Sequence, residues 1–262
     1  MNSLRVGCVK YVNARPLIRG WAGNTEFDNP SALCRRLANG QLDVALVSSF
    51  EFLRNPIYRI VDGVSISSDG PVYSVVVAHR DAVSDISEIE LDPASTTAVN
   101  LLRCLLGELG LTPRLTSSTP ESAGSSPACL VIGDQAIRFR QTHAGEFRFW
   151  DLGEQWKKLT GLPFVFALWL IRPEVPDAES IGQRLRGLRD ENLAGIQVIV
   201  SEAVADAADN KQGITQQFLD RYYKEHLRFG FGILEKEALR TFADLCSKHG
   251  VLPKRTRELS LV

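Results

Sequence analysis

The sequence predicts an α/β protein of two lobes with a ligand cleft between them. Strand and helix signals alternate through the first third of the 262 residues, the arrangement that builds a parallel sheet with helices on its faces. Beyond residue 80 the alternation starts afresh as a smaller set, and a β-prone apolar run, PFVFALWLIRP at 163–173, leads back toward the first. Two crossings between two sheets make a hinge, and ligand sites favour such interfaces.

In chain order, residues 4–10 read as a strand, 16–22 as a short helix opened by Pro16, and 25–28 as a second strand. Pro30 and Ser31 start the helix SALCRRLANG, which Gly40 stops. LDVALVSS at 42–49 is apolar enough for a strand buried on both faces. RIVDGVSI at 60–67 and VYSVVVAH at 72–79 are two further strands, separated by the turn Ser68-Asp69-Gly70-Pro71. After a polar stretch at 80–90 come the helix STTAVNLLRCLLGELG, a strand near 113–117, a Ser/Pro/Gly-rich loop at 117–127, and the strands CLVIGD and FRFWDL. The remainder is helical. Leu234, Ala238, Phe242 and Leu245 recur at helical spacing, as do Phe218, Leu219 and Tyr222, stripes that belong in a core. The expected division is a first lobe of residues 1–82 and 168–262 and a second of 83–167.

Composition sets limits on partners. With 44% hydrophobic residues the chain can bury a core, and 30 basic against 31 acidic residues leave a net charge of −1. No global field therefore recruits nucleic acid or an anionic membrane. Arg138, Arg140 and Arg148 read as a solvated face. No early segment has the pattern of a signal peptide and the longest apolar runs are too short to span a bilayer, so a cytoplasmic protein is expected. Cys8, Cys34, Cys104, Cys129 and Cys246 read as reduced core residues; with neither CxxC nor Cys/His pairing, no metal is expected.

Four strand ends share one local logic, small polar residues just before a helix. They are Asn13, the Ser48-Ser49 pair, the Ser95-Thr96-Thr97 run, and Gly133-Asp134. Each offers hydroxyls, amides or unpaired N–H groups where a helix dipole has its positive end, which suits a small carboxylated ligand. Each is also an ordinary N-cap pattern, and Asn13 taken alone either meets a ligand or caps its helix. Their recurrence in one architecture favours the ligand. Asp134 fits least well, because a carboxylate repels an anion, and reads as structural. Lys10 and Arg15 beside Asn13 either steer an anion or lie in solvent.

Catalytic templates are missing: there is no GxGxxG after a strand, no Walker loop, no GxSxG and no HExxH. His143, His226 and His249 fall in surface positions. His79, at a strand end near the hinge, is the one histidine placed for acid–base work.

The segments RVGCVKYVNARPL, LANGQLDVALVSSFEFLRN, SSDGPVYSVVVAHR, LDPASTTAVNLLRCLL, CLVIGD and WDLGEQWKKLTGLPFVFALW are spread over residues 5–169. Together with the helical tail they resemble the chorismate dehydratases of the futalosine-dependent menaquinone pathway. The resemblance implies a type 2 periplasmic-binding-protein-like fold and cofactor-free loss of water from chorismate to give 3-[(1-carboxyvinyl)oxy]benzoate. The family's motif asparagine falls on Asn13, its third-strand serine on Ser48, the serine of its GPVxS segment on Ser74, and the polar helix start of its second lobe on Ser95, Thr96 and Thr97. Asn13 and Ser74 are thereby the implied catalytic residues, and Ser48, Ser49, Ser95, Thr96 and Thr97, with Ser74, the implied carboxylate contacts. Ala98 departs from relatives that often carry serine there.

The implied reaction removes the C3 hydrogen and the C4 hydroxyl, and the ring becomes aromatic. The protein has to orient both groups and supply donors where charge gathers on the ring carboxylate. An amide is no useful base, so the proton goes to a carboxylate of the substrate or to bound water, with Asn13 hydrogen-bonding the departing hydroxyl. Two other readings stand beside this one. One is a non-catalytic cytosolic binding protein for a small carboxylated ligand, since fold does not fix function. The other is the related dihydroxynaphthoate synthase, whose opening motif of Ser, Pro and Asn-Asp differs from YVNARPL. Oligomeric state is left open.

Overall fold

A computed structural model describes residues 4–92, 94–117, 127–209, 214–255 and 258–262. Most of the loop expected at 117–127 lies outside them. The first sheet begins with β1 (Val6–Val9), β2 (Thr25–Asp28), β3 (Val44–Ser48) and β4 (Arg59–Ser68), joined through α1 (Arg15–Ile18), α2 (Pro30–Ala38) and α3 (Ser49–Arg54). β1 runs parallel to β2 and β3. Asn29 caps α2 by accepting from Ala32 N at 2.9 Å, with Pro30 in its first turn. A Cβ on Gly7 of β1 would stand 2.6 Å from Leu42 Cδ1 and 2.9 Å from Leu33 Cδ2, so only glycine lets α2 seat this closely.

The second sheet has the order β7-β6-β8-β5-β9, made of β5 (Val75–His79), β6 (Glu88–Leu91), β7 (Arg114–Ser117), β8 (Ala128–Ile132) and β9 (Arg148–Asp151). It carries α4 (Thr96–Glu108), α5 (Gly133–Thr142) and α6 (Leu152–Thr160). β10 (Phe164–Ile171) then inserts antiparallel between β3 and β4, which gives the first sheet its order β2-β1-β3-β10-β4. α7 (Ala178–Ala194), α8 (Ile196–Asp209), α9 (Gln216–Arg221), a π-helical turn at Tyr222–His226 and α10 (Ile233–Lys248) complete the chain. No helix among the described residues is long and apolar enough to cross a membrane.

Four local expectations change. The strand expected at 72–79 with the first lobe pairs instead with β8 and β9, so the first crossing falls between Ser68 and Val75 rather than near residue 82. All five residues of β5 are buried, and such a run reads alike whichever sheet receives it. The polar stretch at 80–90 contains most of β6, whose Glu90 is 3% exposed despite its charge. The helix expected at 16–22 is a 3-10 turn at Val12–Ala14 followed by four α-helical residues, stopped near Gly20 at φ +83°. Leu234, placed in the core stripe of α10, is 55% exposed, whereas Ala238 and Phe242 are buried.

One continuous hydrophobic cluster runs through both lobes. Trp156 of α6, Phe164 of β10 and Phe242 of α10 meet at its centre, with ring centroids 5.0 Å apart from Trp156 to Phe164 and from Phe164 to Phe242. The two sheets and the helical tail are thus joined by aromatic packing at their junction.

Candidate active site

A cleft lies between the lobes where β1, β3 and β10 of the first sheet face β5, β8 and α4 of the second. Its walls include Tyr11, Asn13, Ser48, Ser95, Thr96 and Thr97. Of the candidates from sequence, Ser49 and Ser74 are absent from that lining. Ser49 Oγ donates to Val165 O at 2.7 Å, and Ser74 is fully buried behind the wall. Gly133 lines the cleft, whereas Asp134 is not part of its lining.

Asn13 does not cap a helix. The N-cap of its 3-10 turn is Tyr11 and that of α1 is Ala14, neither making a side-chain cap bond. Asn13 Oδ1 is buried and has no hydrogen-bond partner, an uncommon condition for a buried polar atom. Ser95 does serve as a cap, accepting from Ala98 N at 3.2 Å, so its hydroxyl oxygen is engaged. Ser48 heads α3 without capping it and hydrogen-bonds Thr97 Oγ1 across the cleft. Thr97 Oγ1 also accepts from Phe50 N at 3.3 Å. The lobes therefore touch through hydroxyls at this point. Of the helix starts expected to favour an anion, α1 and α3 have four and six residues and carry little summed dipole; α4, with thirteen, presents Thr96 and Thr97 in its first turn.

Asp134 joins the lobes from the second side. Its carboxylate accepts from Val12 N at 3.0 and 3.3 Å, beside Asn13. Burial pushes its pKa up to about 6, while the Val12 N–H bond works in the opposite sense. Gly133, at φ +58°, lies against the Tyr11 ring, and a Cβ there would be 2.9 Å from ring carbons. Glycine is required on both counts.

The crossing segment Pro71–Ser74 is held from several directions. Asp151 accepts from Val72 N at 3.0 Å, Tyr73 N at 2.8 Å, Gly153 N at 3.1 Å and Glu154 N at 3.2 Å. It thus caps α6 and ties the crossing to it. Arg140 donates to Tyr73 O at 3.1 Å and lies 3.9 Å over the Tyr73 ring, so it belongs to the hinge and not to a solvated face. Tyr73 has φ +67°, a strained value for a non-glycine residue. Tyr222 donates to Ser74 Oγ at 2.7 Å, and Tyr223 to Val12 O at 2.7 Å.

His79 is not at the cleft. It sits four residues along β5 from Val75, roughly 13 Å at strand rise, with Nδ1 2.7 Å from Asp81 O. Arg15 is ion-paired with Asp206 at 2.7 Å, which offsets its charge, while Lys10 is exposed. The sequence reading missed Tyr11, Tyr222, Tyr223 and Asp151. Tyr222 was read as core, which it is at 0% exposure, but core spacing carries no information about where its hydroxyl points.

A family described as menaquinone biosynthesis matches residues 4–248. The chain is 29% identical over 259 residues to the chorismate dehydratase of Thermus thermophilus, covering 91% of this chain and 93% of that protein. Among solved structures, a protein of Archaeoglobus fulgidus superposes with a TM-score of 0.73 at 16% identity, over 95% of this chain and 98% of the other. A Candida albicans protein described as having the generic periplasmic binding protein fold gives 0.67 at 14% identity, over 98% and 92%. These likenesses establish the fold as two α/β lobes of the periplasmic-binding-protein kind. With the family match running through both lobes and into α10, the chain belongs to the menaquinone biosynthesis family.

Proposed function

We propose that this protein is a cytoplasmic chorismate dehydratase that forms 3-[(1-carboxyvinyl)oxy]benzoate in the cleft between its lobes. The observation that carries the reading is the buried, unpartnered Oδ1 of Asn13. An acceptor left without a partner favours a ligand that brings a donor to it, and the C4 hydroxyl of chorismate is such a donor. Leu46, Ile66, Val75, Ile132 and Phe166 supply apolar walls for the ring. Ser48, Thr96 and Thr97, with the first turn of α4, supply donors for the carboxylates.

The C3–H bond breaks, its electron pair becomes the C3=C4 bond, and the C4–O bond breaks. A carboxylate of the substrate or a bound water takes up the proton and passes it to the departing hydroxyl oxygen, which leaves as water. Asn13 fixes the hydroxyl, and the donors at α4 stabilise charge delocalised onto the ring carboxylate. Aromatisation drives the reaction, so the protein contributes chiefly orientation and electrostatics.

Incubation of the wild-type chain with chorismate yields an aromatic product lighter by one water, read by mass spectrometry and ultraviolet absorbance. Asn13→Ala lowers kcat by roughly 100-fold, the scale of one lost oriented contact to the reacting group, with KM changed little. Binding without product favours the solute-binding reading, and an unchanged kcat in the variant removes Asn13 from the chemistry.

A further inference from the structure

The chain's second half contributes a feature that the cleft alone does not explain: the turn Tyr222–His226 is π-helical, and such turns concentrate at functional sites. Tyr222 is fully buried and Tyr223 is 6% exposed. Both phenolic hydroxyls are committed to segments that form the site, Tyr222 to Ser74 Oγ and Tyr223 to the carbonyl of Val12. The same turn holds the crossing segment through His226, whose Nδ1 lies 3.0 Å from Pro71 O and whose ring centroid lies 5.5 Å from that of Tyr73.

Side chains one residue apart on an α-helix diverge by about 100°. Widening the turn alters that angle and lets two neighbouring tyrosines reach the first lobe's Asn13 turn and the interlobe crossing together. With Tyr222 as donor, the Ser74 oxygen has one lone pair engaged and its own proton is left to be directed elsewhere.

We infer that Tyr222 is a positioning residue of the active site, which sets the rotamer of Ser74, the residue before Val75 of the cleft wall, from behind that wall. The inference rests on the dehydratase reading above. Tyr222 touches no substrate. Its hydroxyl ties the crossing segment to the tail at Ser74, while the hydroxyl of the neighbouring Tyr223 ties the Asn13 turn to it at Val12.

The test compares Tyr222→Phe, Ser74→Ala and the double variant on chorismate. Tyr222→Phe lowers kcat about tenfold, the scale of one buried hydrogen bond, with KM within about threefold and a thermal midpoint lowered by only about 2–4 °C. The double variant loses no more than Ser74→Ala alone, so the effects are less than additive. If Tyr222→Phe fails to fold, 3,5-difluorotyrosine installed at position 222, a stronger donor of nearly the same shape, shifts kcat while leaving the midpoint unchanged. A kcat equal to wild type in Tyr222→Phe or in the fluorinated protein, or full additivity in the double variant, overturns the inference. A wild-type chain that does not convert chorismate overturns the dehydratase reading, and this one with it.

Discussion

Asp134 is a partly buried carboxylate between two lobes, and its desolvation gives the protein a specific pH response. Its folded-state pKa is raised to about 6, against about 3.9 in an unfolded chain. Between those values the folded chain binds more protons than the unfolded one, so this group's contribution to stability is greatest below about pH 4 and falls as pH rises to 6. At neutral pH the ionised form costs on the order of 2–3 kcal/mol relative to a neutral side chain. Asp134→Asn keeps an acceptor for the Val12 N–H without the charge. It raises stability at pH 7 by about 1–2 kcal/mol and removes this part of the slope between pH 4 and 6, measured by urea unfolding across that range. A variant less stable than wild type at pH 7 would mean that the charged hydrogen bond outweighs burial.

At the scale of elements, the hinge depends on Asp151 more than on any strand. Four backbone N–H groups converge on its two oxygens, and the residue is 4% exposed. Asp151→Ala leaves these donors without an acceptor and removes the cap of α6. Each buried orphan costs about 1–3 kcal/mol and the cap about 1 kcal/mol, so with partial relaxation a loss of at least about 3 kcal/mol is predicted. Denaturant unfolding measures it, and a loss under about 1 kcal/mol would show that the crossing segment holds its shape unaided. The hinge illustrates what the sequence conveyed and what it withheld. Asn13, Ser48 and Thr97 were legible because each sits where a strand gives way to a helix, a rule local to a few residues. The allegiance of β5 was not, since five apolar residues contain no record of their pairing partners. Ser49 and Ser74 share the small polar character of their neighbours, and only the packed structure distinguishes a hydroxyl facing the cleft from one bound to Val165 or Tyr222.

Across the whole molecule, the lobes meet closely. The cleft holds about 70 Å³, room for a few waters and well below the roughly 300 Å³ at which ligand pockets begin. Ser48 with Thr97 and Val12 with Asp134 bridge it on two sides. A ten-carbon diacid can enter only if these contacts part. Because the crossings are short and one of them contains the strained Tyr73, rotation about the hinge is the motion the architecture supports. The resulting account is of a closing cleft that dehydrates a ring diacid while holding its hydroxyl on Asn13. It is tested most directly by a crystal structure of the protein after incubation with chorismate. The account predicts density for the aromatic product between the lobes, with its carboxylates on Ser48, Thr96 or Thr97 and its ring edge beside Asn13. Unreacted chorismate in that position, or a ligand bound away from the interlobe cleft, would contradict it.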